Sequence, residues 1–283
     1  MRDPCTARQS LGMSRRTDAR SYLRRLLGAA LVLAPNPLAL KAEPSQAATL
    51  AFQACTAAVE HRLAMQHAAG STFLAGADDP RLRRGELVLE PVSEPGCAEA
   101  GAELPGAMLH HWRGTAFVPG AHAAEFQRLL RDLPHYPERF APEVLQAAVL
   151  RGDSDHLEAA MRVRQHHGIT VVLDTAYEIG FGRLDERHGY SVSRSTRIAE
   201  VAAPGTRAEH ALSPADEHGF LWRLNTYWSW EECDGGVYLQ VETVSLSRAI
   251  PQGLGWMLRP YVESIPRESL AFTLRSAAAA LRH

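Results

Sequence analysis

The stretch from Gly219 to Leu270, GFLWRLNTYWSWEECDGGVYLQVETVSLSRAIPQGLGWMLRPYVESIPRESL, constrains the fold of this chain more than any other part of it. Aromatic and β-branched residues crowd its first half, where Trp222, Trp228 and Trp230 lie close together. Such composition fits a pleated, half-buried backbone. Asp234-Gly235 supplies the positive-φ turn that joins two strands as a hairpin. Pro251, Gly253, Gly255 and Pro260 punctuate the exit. A last helix is predicted from about Ser264 to Leu281, with Ser264 as N-cap and Pro266 tolerated in the first turn. Leu270, Leu274, Ala277 and Leu281 trace a single apolar face on it. A hairpin followed by a long amphipathic helix predicts a sheet wrapped on a helix, with space between them for something apolar.

Upstream, strands follow one another with no helix between them. The candidates are Val144 to Arg151, Asp155 to Gln165, Thr170 to Phe181, Tyr190 to Val201, Gly219 to Glu232 and Gly236 to Arg248. Gly152-Asp153, His167-Gly168 and Asp234-Gly235 mark turns, and 202–218 reads as a longer loop. Close succession of this kind argues an antiparallel meander, and a sheet of that size curls through its own twist. Nearer the start, a helix is predicted from about Ser45 to His67, with Leu50, Ala54, Ala57, Ala58 and Leu63 as its apolar stripe. Short strands fit Glu86 to Leu89 and Met108 to Val118, and a helix fits His122 to Asp132. Pro134, Pro137 and Pro142 prevent that helix from continuing.

Arg15, Arg16, Arg20, Arg24 and Arg25 precede the apolar run Leu26 to Ala34, and small residues follow it. That order is the pattern of a secretory leader, with cleavage expected after Ala42 or Ala47 and export to the periplasm or beyond. An Arg-rich amphipathic helix of a cytoplasmic protein is the competing reading. The formal net charge of −2 leaves no basic footprint for a nucleic-acid partner. No apolar run reaches the roughly 20 residues of a membrane span. Removal of the leader would take Cys5 and leave Cys55, Cys97 and Cys233, which allows one disulfide and one free thiol at most. A Cys55–Cys97 staple is conceivable, and Cys233 at a hairpin end reads as a bystander. No CxxC and no Cys/His pair at zinc spacing occurs, so neither metal ligands nor a cofactor are expected.

The stretch quoted first and VVLDTAYEIGF (Val171 to Phe181) resemble an uncharacterised bacterial branch of the START/SRPBCC superfamily. HHWRGTAFVPGA (His110 to Ala121) and STRIAEV (Ser195 to Val201) are similar to the same branch, and the resemblance spans about Leu104 to Arg282. It implies an α+β helix-grip fold, a curved antiparallel sheet wrapped around a long C-terminal helix. On this reading 1–42 is leader, 43–103 an N-terminal helix-and-loop extension, and 104–283 the START/SRPBCC-like domain. The branch carries no assigned chemistry. Gln165-His166-His167 departs from the basic, Lys-rich turn expected there.

Strand alternation puts Leu221, Arg223, Asn225, Tyr227, Ser229 and Glu231 on one face, and Trp222, Leu224, Thr226, Trp228, Trp230 and Glu232 on the other. The first face mixes apolar and hydrogen-bonding groups, as a ligand-orienting cavity wall does. Glu242 on the partner strand is expected to meet Arg223 as a buried pair, either orienting a ligand or serving the fold alone. The resemblance puts Gly253 to Leu258, with Trp256 and Met257, near a cavity mouth; packing at a helix junction explains the same residues. The candidate ligand-binding set is therefore Arg223, Asn225, Tyr227, Glu242, Trp256 and Met257, with no catalytic residue assigned.

Other groups fit structure better than chemistry. The doublets His110-His111 and His166-His167 point each ring to an opposite face and read as surface or turn histidines. Ser191, Ser193 and Ser195 line one strand face without a nucleophile elbow. Asp174 and Glu178 share a face, as carboxylates on a wet sheet often do. The expected function is non-catalytic binding or transport of a hydrophobic small molecule or lipid in an internal cavity, by a monomer. A cyclase or hydratase using Tyr227, Arg223 or Glu242 is one alternative. The other is an interaction module whose N-terminal helix docks a partner or makes peripheral membrane contact.

Overall fold

A single antiparallel sheet of ten strands organises the computed structural model, which describes residues 43–68, 72–97, 103–167, 169–249 and 255–282, with 167, 169 and 255–263 by backbone alone. The expected leader, 1–42, lies outside the described residues. The chain runs through α1 (Gln46–Gln66), α2 (Pro80–Arg83), β1 (Val88–Pro91), β2 (Glu103–Leu104), β3 (Ala107–Pro119) and α3 (Ala123–Arg131). A 3₁₀ turn at Leu133–His135 and α4 (Tyr136–Arg139) lead into β4 (Val144–Gly152), β5 (His156–His167), β6 (Ile169–Arg183) and β7 (His188–Ala202). Then come β8 (His210–Ala211), β9 (Arg223–Cys233), β10 (Gly236–Arg248) and α5 (Gly255–Ala280). This is an α+β fold with an antiparallel sheet and a long C-terminal helix, as the run of strands and the terminal amphipathic pattern predict. Lys41–His283 form one compact unit, within which β1 extends the sheet and α1 packs on it.

The strand order is β1-β3-β10-β9-β7-β6-β5-β4, with β2 beside β3 and β8 beside β7. Consecutive strands from β4 to β7 are neighbours because short turns suffice to join antiparallel strands. The β9–β10 turn carries Asp234 at φ 56° and Gly235 at φ 76°, and positive φ at both positions is the type I′ geometry that matches strand twist. β3 then closes onto β10 over its full length, with Ala107 opposite Arg248 and Pro119 opposite Gly236.

Each face of the sheet has its own core. On the inner face, Ala116, Val118, Trp228, Trp230, Val237, Leu239 and Val241 pack against Phe126 and Leu129 of α3 and Leu270, Leu274 and Ala277 of α5. On the outer face, Leu109, Trp222, Tyr227, Val244 and Leu246 pack against Phe52, Cys55, Val59 and Leu63 of α1. The α1 stripe therefore differs in phase from the expected one. Leu50 is 56% exposed and Ala54 and Ala57 are exposed, while Phe52, Cys55, Thr56 and Val59 are buried. An alanine-rich helix offers little contrast from which to read its inward side.

α5 also begins earlier than expected. It runs from Gly255 through Pro260 and has Pro266 in its interior, rather than starting at Ser264 with Pro266 in the first turn. Each interior proline deletes one backbone hydrogen bond and costs roughly 3 kcal/mol. Burial of Leu270, Ala271, Leu274 and Ala277 against the sheet offsets that cost.

Candidate functional site

The register of β3, β10, β9 and β7 lays the inner face out in rows. One row reads Gly114, Val241, Trp228, Ser191, and the α5 side chains sit directly on it. A Cβ on Gly114 would lie 2.5 Å from Leu274 Cδ1 and 2.8 Å from Leu89 Cδ2, so the glycine is what lets leucines approach this closely. The next row reads Trp112, Thr243, Thr226, Ser193. All four are only half-buried, although β10 and β9 have neighbours on both sides and lie at the middle of the sheet.

Beyond that row, His110 stands opposite Ser245, and Met108 opposite Ser247. The Ser195 hydroxyl accepts from the Leu224 amide at 2.9 Å. Burial lowers the His110 pKa to about 4, so its imidazole is neutral at physiological pH and acts as a hydrogen-bonding group rather than a charge. This half of the inner face thus combines hydroxyls, one neutral ring and the apolar Trp112, Leu224 and Met108. Apolar area with a few placed polar groups is the composition of a small-molecule site.

The outer face carries charge. Glu242 is 2% exposed and receives Arg62 of α1 together with His111 Nε2 at 2.6 Å, while Arg113 stands 4.0 Å away. Burial opposes the charge on Glu242, but the hydrogen bond from His111 and the charges of Arg62, His111 and Arg113 outweigh it and hold the carboxyl below its ordinary range. Arg62 also reaches Glu94 at 2.5 Å. Also on α1, Glu60 accepts from Arg194 Nε and Nη2 at 2.8 and 2.7 Å and from Tyr227 Oη at 3.2 Å. Asn225 Nδ2 donates to the same tyrosine at 3.1 Å. Burial, above all, raises the Tyr227 pKa, which keeps the phenol protonated. A cleft of about 390 Å³ opens beside this group, lined by Glu60, Leu63, His67, Tyr190, Arg194 and Tyr227.

Arg223, Asn225, Tyr227 and Glu242 therefore fall on the face away from α5. Arg223, Asn225, Tyr227 and Ser229 do alternate as expected, on the face where α1 packs on Tyr227, and Trp228 and Trp230 face the core that α3 and α5 share. Trp222 precedes β9, escapes the alternation and joins the outer core. Glu242 is buried as expected, with Arg62 and His111 as partners rather than Arg223. Arg223 donates to the Trp222 carbonyl at 2.8 Å. Sequence pairing of adjacent strands finds cross-strand neighbours and misses a partner delivered by a distant helix. Trp256 and Met257 lie in the first turn of α5, their side chains outside the described residues.

The first histidine doublet is also corrected. His110 and His111 are 5% and 1% exposed on opposite faces of β3, neither surface nor turn residues. His166 is exposed next to the β5–β6 turn and pairs with Thr170 at 2.7 Å. Asp174 is taken by Arg162 through a two-pronged contact at 2.7 and 2.8 Å, an ordinary ion pair. Cys55 and Cys97 are joined as a disulfide that fastens α1 to the segment after β1, and Cys233 is free.

No protein-family model matches the sequence, and no curated protein matches it. The structure is similar to solved structures of the START/SRPBCC type. A STAR-related lipid transfer protein from Xanthomonas axonopodis is 16% identical, with 64% of this chain and 97% of that one covered at a TM-score of 0.41. The Zhui aromatase/cyclase from Streptomyces is 14% identical, covering 62% and 94% at 0.41. Human STARD10 is 9% identical, covering 75% and 83% at 0.39. Likenesses this distant assign no ligand and no reaction to the chain.

Proposed function

We propose that this protein binds or carries a hydrophobic small molecule or lipid between the inner face of its sheet and α5, in the manner of a helix-grip fold, without altering it. The row of Trp112, Thr243, Thr226 and Ser193 carries the reading, because these residues at the middle of the sheet remain half-exposed beside the rows that α3 and α5 bury. The neighbouring hydroxyls and the neutral His110 favour a cargo that is mostly apolar and has one or two hydrogen-bonding groups. Export belongs to the same proposal, since a disulfide persists in an oxidising compartment.

The test is native mass spectrometry of the full chain, before and after solvent extraction, with binding of a fluorescent fatty acid as a second measurement. A discrete extractable mass is expected, and the intact mass locates any cleavage. Thr243→Trp, which fills the central row, is expected to weaken probe binding at least about tenfold, or 1.4 kcal/mol. Arg223→Ala, on the outer face, should leave it unchanged. An empty protein that ignores offered lipids overturns the proposal, and so does a Thr243→Trp variant that binds like the parent.

A further inference from the structure

Three side chains far apart in sequence meet beneath α1. Cys55 comes from α1, Cys97 from the segment after β1 and His111 from β3, and one ligand atom of each lies within 4.8 Å of the others. The two sulfurs are bonded to each other. His111 turns Nδ1 toward Cys97 Sγ at 3.9 Å and Nε2 toward Glu242 Oε1 at 2.6 Å. An ionised carboxylate only accepts, so Nε2–H donates to Glu242, and Nδ1 is the ring nitrogen that faces the sulfurs. The bonded sulfurs carry no hydrogen, and the His111 side chain is only 2% exposed.

We propose that the reduced protein holds a thiophilic divalent cation of the zinc type on Cys55, Cys97 and His111, with Glu242 fixing the histidine from behind. A carboxylate on one ring nitrogen, leaving the other free to coordinate, is the usual support of a metal-bound histidine. The distances suit the ion once the S–S bond is gone. Tetrahedral zinc, with its usual bond lengths, sets sulfur and nitrogen ligands about 3.6 Å apart and two sulfurs about 3.8 Å apart. The first separation is close to the 3.9 Å present, and the second needs the sulfurs to part from 2.01 Å. Two thiolates neutralise the dication, while the charge of Glu242 stays matched by Arg62. The half-buried Cys97 gives an entry path, and a water completes the fourth position.

The electrons balance with a thiol or phosphine reductant. It supplies two electrons to the disulfide, two protons complete the thiols, and the metal then displaces both protons as it binds the thiolates. The disulfide and the metal site are thus alternative states of one cluster, chosen by the redox poise of the compartment. Neighbour-spacing rules miss it because its ligands sit on three different elements.

The experiment uses the full chain reduced with a water-soluble phosphine and titrated with Co²⁺. One equivalent is expected, with thiolate-to-cobalt charge-transfer and tetrahedral d–d bands that Zn²⁺ abolishes; the oxidised chain should stay colourless. Zn²⁺ should protect Cys55 and Cys97 from alkylation and leave Cys233 reactive, as read by peptide mass spectrometry. Glu242→Gln should weaken Co²⁺ binding 10–100-fold, and His111→Ala should change the d–d envelope. If reduction costs the fold, Zn²⁺ must restore the native circular dichroism. A reduced chain with no cobalt bands overturns the site, as do equal protection of Cys55, Cys97 and Cys233, a silent His111→Ala or a failure of zinc to restore a lost fold.

Discussion

On the inner face, Trp228, Trp230, Leu239 and Val241 meet Phe126, Leu270 and Leu274, and shape is what joins them: Phe126 lies edge-on to both tryptophans at 5.1 and 5.3 Å. On the outer face, α1 is held by Phe52, Val59 and Leu63, but also by Arg62 reaching the buried Glu242, by Glu60 binding Arg194 and by the disulfide at Cys55. Apolar contact is non-directional and tolerates a sliding helix. A buried carboxylate tolerates one partner arrangement only, because a charge without partners in low dielectric is strongly unfavourable. The outer face therefore fixes α1 in register, and the inner face is free to leave part of its area uncovered.

The largest effect should come from emptying the outer network. Glu242→Ala strips His111 of its buried carboxylate and Arg62 of one of its two, and removal of one partner from a buried ionic group costs about 3–5 kcal/mol. Leu274→Ala, its inner-face counterpart at 0% exposure, should cost about 2–5 kcal/mol. Denaturant titration at several pH values separates the two mechanisms. The folded Glu242 pKa lies below its ordinary value, so its contribution is complete above the unfolded pKa and is lost as pH falls through the folded one. The penalty of Glu242→Ala should shrink on acidification, while that of Leu274→Ala should hold. If both penalties run parallel from neutral to acid pH, the contrast between the faces is wrong.

A smaller effect tests how tightly the inner leucines sit. Gly114→Ala places a methyl against Leu274, Leu89 and Leu270, and overpacking of this kind costs about 1–3 kcal/mol. The value should fall low in that range, since leucine tips can give. In the Leu274→Ala background the penalty should fall, because the nearest atom has gone. Strict additivity of the two substitutions in urea melts would mean that Gly114 is not what admits α5.

Much of this arrangement was legible in the residues. Period-two alternation from Arg223 to Glu232 reads directly, as do the Asp234-Gly235 turn and the apolar line Leu270, Leu274, Ala277. Alternation sorts side chains into two sets without saying which set faces which helix. Here the Trp228 and Trp230 set faces the core shared by α3 and α5, while mixed polarity on the Arg223–Tyr227 side belongs to the ionic core under α1 and to the cleft that Tyr227 lines beside it. Long-range partners were the other blind spot. Arg62 meets Glu242 across most of the chain, and no local spacing encodes that distance. The half-exposed inner row was missed for a related reason: Thr226 and Thr243 look like ordinary strand residues until the helix above them is located.

The smallest predicted effect probes the outer face where α1 does not reach. Gly180 in β6 stands opposite Val192, and a Cβ there would find no heavy atom within 4 Å. Its φ lies outside the left-handed region, so alanine fits the backbone without strain. Gly180→Ala should then stabilise the fold by about 0.4–1 kcal/mol, chiefly by narrowing the unfolded ensemble. The same chemical change thus carries opposite signs at Gly114 and Gly180, which isolates packing from backbone entropy. Thermal unfolding of the two single variants side by side reads the difference. A destabilised Gly180→Ala would mean that something covers this end of the outer face, and that α1 is not its whole lining.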